Sequence, residues 1–220
     1  MRHRGRPLSR APGSLRQAQW QPHVLALNAP MPLRAWLTAR GSLTFRLKAH
    51  SETFRVQCLH QHTARCLSDE AAVIGLHRAG RVWEREVLLR CDNTPVVFAH
   101  TVVPMSATAA DWPLFSALGE RSLGTTLFGD PTVRRGVLEF ARLRPGHPLA
   151  RRAAAALALP LPLPPADEAS KANQPNEALP QERILYARRC LYRRRQGTLL
   201  VTEVFLPSVL DLKQQRSHNE

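Results

Sequence analysis

The sequence predicts an α+β domain built on a mainly antiparallel sheet, and three observations carry that prediction. Residues 81–104 and 184–206 alternate apolar and polar side chains, and each stretch is broken once by turn-forming residues, the pattern of a β-hairpin. Helical signals lie between the two. Strands, then helices, then strands again, with hairpin rather than crossover connections, favour an antiparallel sheet with its helices segregated from it.

Taken in order, residues 1–19 contain Pro7, Pro12 and Gly13 and hold no sustained period, so they are expected to form a flexible basic leader. One folded domain is expected over residues 20–212, with a tail over 213–220. Short helices fit residues 31–50, where Ser42 is a candidate N-cap and Leu43 and Leu47 share a face at i, i+4. The period then changes to two: Phe54, Val56 and Cys58 alternate with Arg55 and Gln57. A strand through Arg90 meets the turn Asp92-Asn93-Thr94-Pro95 and returns over 96–103. Asp111 before Trp112-Pro113, and Asp130 followed by Pro131, read as helix starts. The second of these predicts a helix with Val133, Val137, Phe140 and Ala141 along one stripe. Over 145–181 the composition shifts to Pro, Ala and polar residues, predicting a surface excursion that is helical at its start and extended after. The last hairpin runs 184–194, turns at Gln196-Gly197, returns over 198–206 and ends at Pro207.

A chain of 220 residues with 44% hydrophobic composition can bury one sizeable core and is not a disordered tail. Its longest uncharged apolar stretch, 153–165, is broken by prolines and too short to span a bilayer, so a soluble, cytoplasmic protein without a transmembrane segment is expected. The formal charge of +14 would by itself suggest a polyanionic partner. Yet lysine occurs only at 48, 171 and 213, and the arginines are scattered over every segment, as in coding bias of a GC-rich genome. No dedicated nucleic-acid binding is expected, since only 6% of residues are aromatic and most of those fall on apolar strand faces. The same charge can steer a small dianion. Cys58, Cys66, Cys91 and Cys190 have no C-x-x-C spacing and read as reduced core thiols.

Parity singles out two residues. Trp83, Arg85, Val87 and Leu89 share one strand face, and Leu199, Val201, Glu203 and Phe205 share another, which makes Arg85 and Glu203 charged exceptions on apolar faces. An unpaired charge in a core costs several kcal/mol at least, so each must meet a partner, a ligand or water. Mutual pairing and a partly wet edge strand are both consistent with this. So is a dry pocket for a small acid, in which arginine grips a carboxylate and glutamate accepts from a hydroxyl.

Four runs, in this order, resemble signatures of the chorismate lyase family: Trp83-Glu84-Arg85-Glu86-Val87-Leu88-Leu89, Thr101-Val102-Val103-Pro104, Ser122-Leu123-Gly124-Thr125-Thr126-Leu127-Phe128 read as a turn, and Thr202-Glu203-Val204-Phe205-Leu206-Pro207. The resemblance covers residues 20–145 and 182–210. It implies an antiparallel sheet with helical flaps over an internal ligand pocket, and cleavage of chorismate to 4-hydroxybenzoate and pyruvate at the entry to bacterial ubiquinone synthesis. No metal or organic cofactor is implied, and a monomer is expected. Carried over by motif, Arg85 would hold the ring carboxylate, Leu123 would add a backbone N–H beside it, and Glu203 would meet the ring hydroxyl. Leu43, within Ser42-Leu43-Thr44, would make a further backbone contact. Arg85 and Glu203 are the catalytic candidates.

The chain departs from the family at His100, where an arginine is expected before Thr101; a histidine there either supports the pocket only when protonated or sits on the polar strand face. His60 and His62 are a possible metal pair, but no third ligand of suitable spacing is evident. Arg188-Arg189 and Arg193-Arg194-Arg195 read as a solvated basic cluster, with phosphate or membrane contact as the alternative. The competing function is a non-catalytic, small-acid-sensing domain of the related fold found in some transcription regulators. Residues 1–40 are too short and proline-broken for the DNA-binding domain that usually precedes one.

Overall fold

The computed structural model describes residues 17–107, 111–113, 115–158 and 184–212. Six strands form one wholly antiparallel sheet in the order β1-β2-β3-β6-β5-β4: β1 Phe54–Arg65, β2 Arg81–Cys91, β3 Thr94–Pro104, β4 Val133–Leu143, β5 Leu185–Arg194 and β6 Gly197–Phe205. Both predicted hairpins are present, as β2–β3 and β5–β6. Asp92 and Asn93 take positive φ of 49° and 64°, the backbone a tight hairpin needs and the one Asp and Asn tolerate best.

Parity divides the sheet as expected. Val87, Leu89, Ala99 and Phe205 point to one face, here the front, where they pack against α1 (Met31–Thr38) and α2 (Leu43–Lys48). Ser42 caps α2, its hydroxyl accepting from the Phe45 N–H. Leu88, Phe98, Ala187 and Val204 point to the back and are covered by α4 (Pro148–Leu157), which buries Leu149, Ala150, Ala153, Ala156 and Leu157. The excursion from 145 is thus helical at its start, as predicted, but this part is a layer of the core; its extended part, 159–181, lies outside the described residues, as do residues 1–16 of the leader expected over 1–19 and the tail over 213–220. Among the described residues no helix is long and apolar enough to cross a membrane.

Three helical expectations are corrected. The predicted helix after Asp130 is the edge strand β4. Asp130 does cap, accepting from Thr132 N–H and Oγ1, but the chain then runs extended. A register shift between Arg135 and Leu138 inserts one extra residue and breaks the period of two, which makes Val133, Val137, Phe140 and Ala141 mimic a helical stripe; Val137 is 80% exposed. Conversely, the turn expected over 122–128 is α3 (Leu123–Gly129). The signal at Asp111 leads, among the described residues, only to a 3-10 turn at Phe115–Ala117.

Candidate active site

A cavity opens on the front of the sheet beneath α2 and α3, lined by residues of both helices and of the strands below them. Val87, Ala99 and Val201 form an apolar floor. Arg85, only 2% exposed, enters from β2. Its Nη2 donates to the carbonyls of Gly119 at 2.7 Å and Arg121 at 2.9 Å, fixing the chain that leads into α3. Its Nε is buried and has no hydrogen-bond partner. Burial pulls the Arg85 pKa down and the Cys58 thiol alongside opposes it, from so high a starting value that the guanidinium stays charged.

Glu203 lines the same cavity from β6, and its Oε2 accepts from Arg188 Nε at 2.5 Å. Arg85 and Glu203 form no ion pair with each other, which removes mutual pairing as their explanation; among the described residues no carboxylate pairs with Arg85. Arg85 stands opposite Thr101, and Glu203 opposite Ala99, two residues along β3. Two strand spacings and that offset put their Cα atoms roughly 12 Å apart, room for one aromatic ring and a hydrogen bond at each end.

Leu43 and Leu123 are the first residues of α2 and α3, where backbone N–H groups have no acceptor within the helix. Both line the cavity, and the two helix starts abut: Thr44 Oγ1 lies 2.7 Å from Ser122 Oγ. A Cβ on Gly124 would sit 3.0 Å from Thr44 Oγ1, so glycine permits this approach.

The basic run 188–189 is not a solvated face. Arg188 is 2% exposed, and besides Glu203 it satisfies the carbonyls of Trp36, Leu37 and Ala39 at the end of α1, with distances of 3.2, 3.2 and 2.7 Å. Its neighbour Arg189 points to the back, bonded to Glu139 and the Asp69 carbonyl and stacked 4.3 Å from the Trp20 ring. The signal that could have found Arg188 is the same parity rule, since Tyr186, Cys190 and Tyr192 share its face. Two other pocket residues also went unread. Arg135 reaches the cavity from β4, and Tyr192 carries a phenol whose pKa is raised by burial, then by Cys190 and Glu203, so that it remains a donor.

On the back of the sheet, His100 lies on the Glu84–Glu86 face as parity requires, but that face is buried and His100 is fully enclosed. Nδ1 is 3.0 Å from Glu86 Oε1, and Nε2 is 2.9 Å from Glu70 Oε1, an ion-pair contact whose angle falls short of a hydrogen bond. Burial alone would lower its pKa; the carboxylates of Glu70 and Glu86 outweigh that and raise it to about 10. Arg152 of α4 joins the cluster, 3.0 Å from Glu84 and 2.6 Å from Glu86. A third metal-type ligand therefore does stand near His60 and His62: it is Glu84, 3.0 Å from His60 Nε2. The two imidazoles, however, are stacked with planes 5° apart and centroids 4.4 Å apart. In-plane lone pairs of separate parallel rings cannot meet at one ion about 2.0–2.1 Å from each, so this is a hydrogen-bonded cluster and not a formed metal centre.

The family model described as chorismate lyase matches residues 14–160. A probable chorismate pyruvate-lyase of Cupriavidus metallidurans is 45% identical over 196 residues, covering 88% of this chain and 82% of that protein. One of Ralstonia nicotianae is 47% identical over 174 residues, covering 79% and 80%. Among solved structures, the effector domain of PhnF from Mycobacterium smegmatis is similar, with a TM-score of 0.49 and 16% identity over 77% of this chain and 91% of that one.

Proposed function

The chain belongs to the chorismate lyase family, a family of carbon–oxygen lyases, and from that premise and the pocket's layout we propose that it cleaves chorismate to 4-hydroxybenzoate and pyruvate, supplying ubiquinone synthesis. The observation that carries this reading is the placement of Arg85 and Glu203 at two ends of one apolar-floored cavity without contact between them. Arg85 holds the ring carboxylate through its unpartnered Nε, and the Leu123 N–H at the start of α3 lies beside it. Glu203 keeps Oε2 on Arg188 and accepts from the ring hydroxyl through Oε1. The Leu43 N–H adds a further backbone contact.

The reaction suits so sparse a set of groups. The ring C–H at the hydroxyl-bearing carbon and the adjacent ether C–O bond both break, and the enolpyruvyl methylene takes up a hydrogen. The products are an aromatic phenol and a keto acid, so atoms balance without an oxidant or a cofactor. The protein's part is to fold the enolpyruvyl group against the ring, to exclude water and to stabilise charge at the hydroxyl. A carboxylate accepting from that hydroxyl raises electron density where the C–H bond weakens. Arg188 holds Glu203 in place through the hydrogen bond to Oε2.

Mixing the purified protein with chorismate and following 4-hydroxybenzoate by absorbance tests the proposal. Wild-type protein is expected to form product, and Arg85→Ala and Glu203→Gln to lose about 100-fold or more in kcat/KM. Near-normal turnover in both variants would sink the assignment of these residues; absence of product with wild type would sink the activity.

A further inference from the structure

The cavity lining contains three guanidiniums, Arg85, Arg135 and Arg188, against the single carboxylate of Glu203, a net of two positive charges. Arg188 is spent on Glu203 and on three carbonyls of α1's C-terminal end. Arg85 and Arg135 are not. Each has a buried Nε without a hydrogen-bond partner, and among the described residues neither pairs with a carboxylate. Arg135 is steadied from two sides, by its Nη1 donating to the Arg40 carbonyl and by the Phe128 ring, whose centroid lies 5.5 Å from its guanidinium carbon. Two cations with unsatisfied N–H groups in one cavity call for a ligand with two anionic groups.

We infer that Arg135 is the anchor for the second carboxylate of the substrate, the one carried on the enolpyruvyl side chain; this rests on the activity proposed above. The order of groups supports it. Across the sheet the charged residues run Arg85 on β2, Glu203 on β6 and Arg135 on edge strand β4. In chorismate the hydroxyl lies opposite the ring carboxylate and the ether is on the neighbouring ring carbon, so the side-chain carboxylate projects from one flank of the ring. With the ring carboxylate on Arg85 and the hydroxyl on Glu203, one flank of the ring faces β4, where Arg135 stands opposite Tyr192 and so level with Leu199, four residues along β6 from Glu203.

The β4 bulge is what makes Arg135 available. Beyond it, Leu138 stands opposite Cys190 on the front face, and uninterrupted alternation would send residue 135 to the back. The extra residue restores Arg135 to the front, opposite Tyr192. At the bulge a Cβ on Gly136 would lie 2.8 Å from the Leu191 carbonyl oxygen, so the backbone approach that shapes it requires glycine.

The product 4-hydroxybenzoate retains only the ring carboxylate, and this separates the two anchors. In Arg135→Gln, kcat/KM for chorismate is expected to fall about 10- to 100-fold, mainly through KM, while the dissociation constant for 4-hydroxybenzoate, measured by calorimetry, stays within about twofold of wild type. Unchanged product binding also shows that the variant is folded. Arg135→Lys should recover part of the loss. Pyruvate should compete with chorismate in wild type and much less in Arg135→Gln. Equal losses for chorismate and 4-hydroxybenzoate, or no loss for either, would overturn the inference while leaving a wild-type lyase intact. Failure of wild-type protein to form product would instead overturn the reading on which it rests.

Discussion

At the residue scale, buried arginines organise the front of the molecule. Arg188 ties a catalytic candidate, Glu203, to the end of α1 through one guanidinium that makes four hydrogen bonds. Its removal leaves a partly buried carboxylate and three helix-end carbonyls without their donor, a loss of about 3 kcal/mol by analogy with other broken buried pairs. Arg188→Met is therefore expected to lower the urea midpoint clearly. Arg188→Lys should lie between the two, because an ammonium keeps the charge but cannot span both partners. A midpoint unchanged in Arg188→Met would show that the pair contributes nothing to folding. This residue also marks a limit of legibility. Arg85 and Glu203 stood out because each interrupts an obvious apolar face, whereas Arg188 sits in a run of arginines whose charge, read as a cluster, hides its parity.

Among the elements, what was legible and what was not divides at the bulges. The hairpins β2–β3 and β5–β6 were readable because alternation and turn residues agree, the one register shift of β2–β3 falling at Leu89–Arg90 beside the turn, and α2 because Ser42 caps it. β4 was not, since one extra residue turns a period of two into something resembling a helical stripe. The bulge in β1, between Cys58 and His60, works in the same way: Phe54, Val56 and Cys58 face the front, while beyond it His60 stands opposite Glu86 on the back. The fold class survives the misreading of β4 because a bulge leaves strand pairing intact, whereas it changes the face on which a side chain emerges. Gly136 is where this can be tested. A side chain there meets main-chain carbonyl rather than a flexible group, so the strand must shift. Gly136→Val is expected to cost about 1–3 kcal/mol in stability and to raise KM for chorismate by displacing Arg135, with folding followed by thermal melting. A variant with wild-type stability and KM would mean that the bulge does not position Arg135.

For the whole molecule, the sheet separates a pocket on its front from an ion network on its back. Six residues in register, one from each strand, form a polar row across the back: His60, Glu86, His100, Thr202, Arg189 and Glu139. The helix α4 adds Arg152 to it. Because both nitrogens of His100 face carboxylate oxygens, both must carry protons, and the imidazolium takes the cationic role expected of an arginine there. The pH dependence follows from two shifted groups. His100 rises from about 6.5 when unfolded to about 10 when folded, so its contribution is complete below about pH 6.5 and is lost as pH climbs through 10. Glu84 moves the other way. Burial would raise its pKa, but the His60 hydrogen bond and the charges of His100 and Arg152 bring it to about 2, so its contribution is present above about pH 4.5 and disappears as pH falls towards 2. Melting temperature should therefore be highest near pH 4.5–6.5 and decline on both sides, with an alkaline slope of up to about 1.4 kcal/mol per pH unit from His100. Arginine keeps its charge beyond pH 10 and glutamine carries none at any pH, so His100→Arg and His100→Gln should both flatten the alkaline limb, whatever their stability at neutral pH. If both variants keep the wild-type slope between pH 7 and 10, the alkaline loss has another origin and His100 is not the titrating group.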